Sequence, residues 1–155
     1  MMKRAFAFGD KSIESAVRRV NEVRCVAVIG AGTMGQGIAI DLLKKTDYEL
    51  ILLDVQPEAL ARAKARFDAM RAADVKESRL REEDAQRAGA RVTFTQSYDD
   101  LALADIVWEV ATERGEIKAK IFDAIEKYVD LDRIAAIFSN TSSHTTGELA
   151  VLFKS

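Results

Sequence analysis

The feature that most constrains the fold is a glycine-rich turn directly after a run of apolar residues. Cys25 to Ile29 is apolar at every position, and the turn Gly30-Ala31-Gly32-Thr33-Met34-Gly35 comes next. A strand covered by helices on both faces of a parallel sheet reads as a continuous apolar run. The pattern G-x-G-x-x-G between such a strand and a helix is typical of a βαβ unit that binds a dinucleotide.

Each position of this turn has a physical reason. Gly30 allows the tight turn, Gly32 lets the backbone approach the pyrophosphate, and Gly35 lets the helix lie close to the sheet. The free N–H groups at the start of the helix would receive the phosphate charge. We therefore predict cofactor contacts at Gly30, Gly32, Thr33, Met34 and Gly35.

An acidic residue at the end of the next strand identifies the dinucleotide. Asp54 ends the apolar run of that strand, at the spacing expected for a carboxylate that holds the adenosine ribose. It would accept bonds from the ribose hydroxyls and repel a 2′-phosphate. Val55 and Gln56 follow it, and no arginine does. The sequence therefore predicts NAD as the cofactor in preference to NADP.

Apolar periodicity predicts strands that alternate with helices along the chain. This order indicates an α/β fold, a doubly wound and mostly parallel Rossmann sheet of order 3-2-1-4-5-6 that lacks its last strands. The predicted strands are 25–29, 48–53, 92–95, 105–110 and 134–138, and the predicted helices are 33–45, 57–70 and 116–128, with a short helix or turn at 98–103 and a helical excursion over the charged residues 74–91.

The same periodicity predicts which side chains face the core. Inward positions are predicted at Met34, Ile38, Leu42 and Leu43 in the first helix after the glycine turn and at Ile117, Ile121, Phe122 and Ile125 in the helix 116–128. Gly37 would cost stability in a helix interior, so we expect it to serve close packing of helix on strand.

Two segments are predicted, without a linker between them. Residues 1–23 contain an amphipathic lead-in helix from about Ser12 to Val23, or alternatively a segment that packs on a neighbouring domain. Residues 24–155 form the Rossmann domain, and a helix at 146–153 would have little to pack on within these residues. We therefore expect this domain to be incomplete.

Composition excludes several classes of function. A net charge of −2 gives no electrostatic attraction to nucleic acid or to an anionic membrane, and no apolar stretch is long enough to span a bilayer. The single Cys25 lies in an apolar run and is predicted to be a small buried side chain. A single cysteine cannot form a disulfide within the chain, which suits a reducing compartment, so we expect a cytoplasmic protein.

Two motifs carry a resemblance to a known family. Val28 to Ala39 resembles the opening of the NAD domain of the 3-hydroxyacyl-CoA dehydrogenases, and Phe138-Ser139-Asn140-Thr141-Ser142-Ser143 is similar to the active-site loop of that family. The resemblance extends from about Arg24 to the end of the chain.

The resemblance implies roles for four residues. Ser142 would hydrogen-bond the 3-oxygen of the substrate, and Asn140 would lie near the nicotinamide and the substrate. Glu113 and Lys118 would contact NAD. Plainer alternatives exist: Asn140 and Ser142 could make a turn or a helix cap, Glu113 could face a helix dipole, and Lys118 could be a solvated surface charge.

The resemblance also implies what these residues lack. The family's general base is a histidine in a later strand, and its second domain, which is helical, closes over the substrate and forms the dimer; both would lie beyond Ser155. The single histidine, His144, is expected to face solvent or to cap a helix rather than to act as the base. We therefore expect the isolated chain to bind NAD and to turn over little or nothing.

Three hypotheses for function follow. The first is an NAD-dependent 3-hydroxyacyl-CoA dehydrogenase of fatty-acid metabolism, a homodimer or one joined to a partner domain when complete, whose substrate is a 3-hydroxyacyl-CoA. The second is a related dehydrogenase of another small hydroxy acid, and the third is an NAD-binding module without catalysis. The cations between Arg62 and Arg91 would suit CoA phosphates, but interleaved acidic residues favour a solvated face.

Overall fold

The computed structural model describes residues 21–140, and these form a parallel sheet with helices on both faces. The elements in chain order are β1 (Cys25–Ile29), α1 (Thr33–Lys45), β2 (Glu49–Leu53), α2 (Pro57–Lys76), α3 (Glu82–Ala90), β3 (Val92–Thr95), a short 3₁₀ helix (Tyr98–Leu103), β4 (Ile106–Glu109), α4 (Gly115–Tyr128) and β5 (Ala136–Ser139).

The sheet has the order β3-β2-β1-β4-β5, and its four strand pairings are all parallel. This confirms the predicted order for the five strands that the sequence shows. In the register, Ile29 lies opposite Leu53 on one side and Glu109 on the other, and Glu109 in turn lies opposite Ser139. The carboxyl ends of four strands therefore meet at one edge of the sheet.

Alternate residues of the strands bury their side chains on opposite faces, as the pleat requires. On one face Ala27 and Ile29 pack with Ile121, Phe122 and Ile125 of α4. The core of the other face is formed with α1 and α2, and its buried members include Val26, Val28, Ala39, Leu43, Leu50, Leu52, Leu60, Ala63 and Phe67. Both faces of β1 are thus covered, which explains why its sequence is apolar at every position.

Three predictions about inward residues are wrong. Met34 is 52% exposed, because the face of α1 that packs on the sheet carries the small residues Gly35 and Ala39 together with Leu43. Gly37 is exposed, and a Cβ added at this position would meet nothing within 4 Å. It therefore does not serve close packing of the helix on a strand. In α4, Ile117 is 39% exposed and Lys118 takes the buried position beside it.

Strand and helix boundaries follow the prediction closely, with two informative differences. Strand β5 begins at Ala136 instead of 134, because a turn occupies the preceding residues: the amides of Arg133 and Ile134 both donate to the Asp130 backbone oxygen. The charged excursion resolves into the end of α2, a turn, and α3.

Some predictions lie outside the described residues. These are the lead-in helix of residues 1–23, apart from its last three residues, the helix 146–153, and the side chains of Ser142 and His144. None of the helices in residues 21–140 has the length and apolar character to cross a membrane.

Candidate functional site

The glycine turn lies at the carboxyl edge of the sheet, and two of its glycines pack tightly against neighbouring backbone. Gly30 has a φ of +109°, and a Cβ there would lie 2.6 Å from the Ala111 Cα. A Cβ on Gly35 would lie 1.8 Å from the Gly30 carbonyl oxygen, so α1 and the turn are in direct backbone contact. The tight turn and the close approach of the helix, both predicted from sequence, are confirmed.

Gly32 has the opposite surroundings, which suit a ligand. A Cβ there would meet nothing within 4 Å, and the residue is the N-cap of α1 with no side-chain hydrogen bond to the helix start. Thr33 and Met34 follow it and are exposed. The first turn of α1 carries no acidic residue. An uncapped helix N-terminus facing open space is suited to a phosphate group, so this cradle fits the pyrophosphate of a dinucleotide.

The Asp54 carboxylate lies beside this turn. Its Oδ2 accepts a hydrogen bond of 2.7 Å from the Ala31 N–H, and its Oδ1 accepts one of 2.9 Å from the Gln56 N–H. The Gly30 N–H also donates to the Leu53 carbonyl oxygen at 2.7 Å. Asp54 is therefore fixed at the mouth of the cradle, and its predicted contact with the adenosine ribose stays a prediction.

A buried polar cluster lies at the carboxyl ends of β4 and β5. Lys118 Nζ lies 2.5 Å from Glu109 Oε2, and the side chains of both residues are 0% exposed. The Ser139 hydroxyl donates to the same Oε2 at 2.6 Å and lies 3.3 Å from Lys118 Nζ. Glu109 Oε1 accepts a 3.0 Å bond from the Ala111 N–H. Each carboxylate oxygen thus has a protein partner.

Sequence reasoning missed Glu109 and Ser139 as members of a site. The signal in the sequence was Glu109, the one charged residue within the otherwise apolar stretch Ile106 to Val110. A carboxylate buried in such a strand needs a hydrogen-bonding or charged partner. The alternative in which Lys118 is a solvated surface charge is wrong, because its side chain is fully buried. Its predicted contact with NAD stays a prediction.

Glu113 and Asn140 are the remaining predicted residues that the structure places. Glu113 is exposed in the loop between β4 and α4. Asn140 follows β5; its N–H donates to the Glu109 carbonyl oxygen at 2.9 Å, and its side-chain amide lies 2.9 Å from Met34 Sδ. The structure therefore brings the start of the Ser-Asn-Thr-Ser-Ser motif against α1, beside the glycine turn.

Tyr98 is a further residue at this edge that the sequence did not indicate. It lies in the 3₁₀ helix after β3 and is half-buried against the core on the α4 side. Burial raises the pKa of its hydroxyl, and the negative charges of Asp54 and Glu109 raise it further. Tyr98 therefore stays protonated at neutral pH and shares this edge with both carboxylates.

Residues 21–140 contain no group of three or more histidine, cysteine, aspartate or glutamate side chains that could hold a metal ion.

Comparisons with known proteins agree with this geometry. The family model described as "3-hydroxyacyl-CoA dehydrogenase, NAD binding domain" matches residues 25–155. A 3-hydroxybutyryl-CoA dehydrogenase of Bradyrhizobium diazoefficiens is 34% identical over 83% of this chain and 43% of its own length. A 3-hydroxyadipyl-CoA dehydrogenase of Escherichia coli is 33% identical over 85% of this chain and 27% of its own length.

A solved structure shows the same fold. The crystal structure of (S)-3-hydroxybutyryl-CoA dehydrogenase PaaH1 from Ralstonia eutropha superposes with a TM-score of 0.72 at 35% identity, covering 86% of this chain and 46% of that one. The chain thus spans less than half the length of these relatives. By its sequence, its strand order and its glycine turn, the chain belongs to the 3-hydroxyacyl-CoA dehydrogenase family, of which it contains the NAD-binding domain.

Proposed function

We propose that this chain is the cofactor-binding part of an NAD-dependent 3-hydroxyacyl-CoA dehydrogenase. The observation that carries the proposal is the arrangement at the carboxyl edge of the sheet. The open cradle at Gly32, the carboxylate of Asp54 and the side chain of Asn140 all lie around one helix N-terminus. This arrangement offers separate places for the pyrophosphate, the ribose and the nicotinamide end of a dinucleotide.

In this proposal the residues of the chain bind NAD and orient it toward the substrate. When bound, NAD supplies the hydride acceptor for oxidation of the C3 hydroxyl to a ketone. The N–H groups at the start of α1 hold the pyrophosphate, and Asp54 receives the ribose hydroxyls. Asn140, held by its backbone at Glu109 and by its side chain at Met34, lies where it can orient the nicotinamide end. Ser142, two residues further on, is proposed to bond the substrate's 3-oxygen.

The substrate class is proposed from the relatives, whose names give 3-hydroxybutyryl-CoA and 3-hydroxyadipyl-CoA. A 3-hydroxyacyl-CoA and a place in fatty-acid metabolism follow for this protein. We also propose a cytoplasmic location, supported by the buried free thiol of Cys25, and a homodimer or a partner domain in the complete protein, as the family resemblance implies.

Calorimetric titration of the chain with NADH and with NADPH tests the cofactor. We expect NADH to bind more tightly, because Asp54 repels a 2′-phosphate, and we expect Asp54→Ala to narrow the difference. Asp47→Ala is the matched control, since Asp47 is an exposed aspartate before the opposite end of the same strand β2. Equal affinity for both dinucleotides in the unchanged chain would refute the role of Asp54.

Substrate class is tested with the complete gene product. It should oxidise 3-hydroxybutyryl-CoA with NAD⁺, followed as NADH absorbance, and leave free 3-hydroxybutyrate almost untouched. A preference for the free acid would indicate a dehydrogenase of small hydroxy acids. Tight NADH binding without turnover of any thioester would indicate a binding module instead.

A further inference from the structure

Tyr98 lies at the sheet edge of the predicted cofactor site, and its hydroxyl makes no hydrogen bond to any other of residues 21–140. We propose that this hydroxyl donates a hydrogen bond to the adenosine half of the dinucleotide, which makes Tyr98 a further cofactor-binding residue. The inference rests on the NAD binding proposed above and does not depend on dehydrogenase activity.

Two hydrogen bonds fix the segment before Tyr98 against the end of β2. The Asp54 N–H donates to the Thr95 carbonyl oxygen at 3.1 Å, and the Gln96 side-chain amide donates to the Val55 carbonyl oxygen at 2.9 Å. The 3₁₀ helix then begins at Tyr98. Tyr98 is therefore held close to Asp54, the residue predicted to receive the adenosine ribose.

The ring of Tyr98 is held by the core. It packs against the core cluster on the α4 face, whose members include Leu53 at the end of β2 and Ile121 of α4. The side chain is half-buried. A tyrosine has only two side-chain torsions, so a packed ring presents its hydroxyl at a low cost in conformational entropy. The fold thus holds a preorganised hydroxyl at the carboxyl edge of the sheet.

The electrostatic surroundings make this hydroxyl a donor. Burial raises the pKa of the Tyr98 hydroxyl, and the negative charges of Asp54 and Glu109 raise it further. The hydroxyl therefore keeps its proton at neutral pH. Polar groups that folding removes from water normally have a hydrogen-bond partner. A bound ligand can provide the acceptor that the described part of the chain does not.

Adenosine carries hydrogen-bond acceptors that Asp54 cannot satisfy. A carboxylate can only accept, so Asp54 suits the ribose hydroxyls but not the ring nitrogens of adenine or the ring oxygen of ribose. Tyr98 supplies a donor beside it. Because a phenol is neutral, it does not attract a 2′-phosphate as an arginine would, so it is compatible with a preference for NAD. Val55, 60% exposed next to Asp54, adds apolar surface for the base.

Tyr128 provides a matched control at the opposite edge of the sheet. Its ring packs against the same core cluster as the ring of Tyr98. It is the last residue of α4, which leads from the end of β4 to the segment before β5, so it lies at the amino edge, away from the glycine turn. Its hydroxyl accepts a 2.9 Å hydrogen bond from Lys127 Nζ. Removing this hydroxyl should not affect cofactor binding.

The experiment compares the 155-residue chain with Tyr98→Phe and Tyr128→Phe. Calorimetry gives the Kd for NADH and for ADP-ribose, which has the adenosine half without the nicotinamide, and urea unfolding gives stability. We expect Tyr98→Phe to raise both Kd values by the same factor, about threefold to tenfold, the effect of losing one neutral hydrogen bond. Its urea midpoint should barely change, because no protein partner in residues 21–140 is lost. Tyr128→Phe should leave both Kd values within about twofold.

Several results would overturn the inference. An unchanged Kd for NADH in Tyr98→Phe would refute it and leave the proposed function standing. A higher Kd for NADH beside an unchanged Kd for ADP-ribose would assign the hydroxyl to the nicotinamide half. An equal loss in Tyr128→Phe would show that the effect is transmitted through the core. If the unchanged chain bound no NADH, the proposed function would fail, and this inference with it.

Nuclear Overhauser effects in the complex give a readout that a purely structural role would not produce. In the chain with labelled tyrosine, the Tyr98 ring protons should show cross-peaks to adenine or adenosine ribose protons of bound NADH. The Tyr128 ring protons should show none. Cross-peaks from Tyr98 to the nicotinamide alone, or no cross-peak in the saturated complex, would contradict the proposed contact.

Discussion

Lys118 Nζ and Glu109 Oε2 are 2.5 Å apart, in an ion pair whose two side chains have no exposed surface. The pair joins the first turns of α4 to the end of β4, and it lies at the sheet edge where the glycine turn, Asp54 and Asn140 also meet. Buried charges that lack water are stabilised only by each other and by their hydrogen-bond partners. Substituting one of the two residues should therefore lower stability much more than substituting both.

Removing one member of this pair should therefore be costly. Lys118→Met and Glu109→Gln are each expected to lower the free energy of unfolding by about 3 to 5 kcal/mol, because the remaining buried charge or its partners lose compensation. The combination Glu109→Gln with Lys118→Met should recover much of that loss. Urea unfolding of the three variants measures the difference.

The exposed pair of Asp41 and Lys45 on α1 is the matched control for this cycle. Its side chains are 61% and 69% exposed, so Lys45→Met should change stability by at most about 0.5 kcal/mol. A double variant at the buried site that simply sums the two single losses would contradict the prediction.

Glycine substitutions should separate folding from cofactor binding. Gly35→Ala places a methyl group against the Gly30 carbonyl and should cost about 2 kcal/mol or more, since backbone must shift. Gly32→Ala meets nothing in the protein and has an extended backbone, so its stability should stay within about 0.5 kcal/mol. Its methyl group would nevertheless face the pyrophosphate, and NADH affinity should fall.

Gly37→Ala is the control for Gly32→Ala. It lies in the same helix, is exposed, and has equally open surroundings, so alanine should raise stability by up to about 1 kcal/mol and leave NADH binding unchanged. Thermal unfolding and calorimetry of the three variants check these results. Unchanged NADH affinity in Gly32→Ala would argue against the cradle as the pyrophosphate site.

The thiol of Cys25 should make stability depend on pH in the alkaline range. Burial, with the charges of Asp105 and Glu49, raises its pKa from 9.0 to about 11. The protonated thiol therefore favours the folded state fully below pH 9, and this contribution is lost as the pH rises through 11. Relative to Cys25→Ala, the unchanged chain should lose about 2 to 3 kcal/mol over that window.

Urea unfolding of both proteins at pH 8 and pH 10.5 measures this loss. A thiol reagent such as a disulfide dye gives a second check, since Cys25 should react slowly at pH 8 in the folded chain and rapidly in urea. Rapid reaction without denaturant would show that the strand opens easily or that the thiol is accessible.

Arg91 should matter for stability more than its neighbours on α3. Its guanidinium donates to three backbone oxygens, those of Leu43, Thr46 and Tyr48, which connect the end of α1 to the start of β2. Arg91→Met should cost about 1.5 to 3 kcal/mol, because these carbonyls lose a charged donor. Arg87→Met, at a side chain 76% exposed, should cost about 0.5 kcal/mol or less, and a similar loss in both would contradict this role.

Sequence patterns predicted most element boundaries because these depend on local periodicity and on glycine. The strand order was predicted from the alternation of strands and helices, since this alternation is typical of a doubly wound sheet. The Gly30 turn is the clearest case, since the left-handed φ and the backbone contact with Ala111 both require glycine. Side-chain environment was predicted less well. Lys118 stands at a helix position that is charged in the sequence and buried in the structure, and its partner Glu109 is nine residues away on a strand.

Met34 shows the same limit from the opposite side. An apolar residue at helical spacing is normally assigned to the core, yet the first turn of α1 lies at the sheet edge, and its side chain contacts Asn140 instead of the core. That contact spans 106 positions in the chain. Periodicity reports which face of a helix is apolar, and it does not report where along its length the sheet ends.

The central position of β1 has a consequence in time. This strand comes first among those described but pairs with β4, and the Arg24 amide bonds to Asp105, 81 residues further along the chain. Ala111, against which the Gly30 turn rests, is synthesised later still. During synthesis, the glycine turn is therefore complete long before the residues that pack against it have been added to the chain. Because segments that are distant in sequence must meet before the sheet forms, folding should be slow. NAD can stabilise the protein only after its binding site has formed, so it can promote only the last steps of folding.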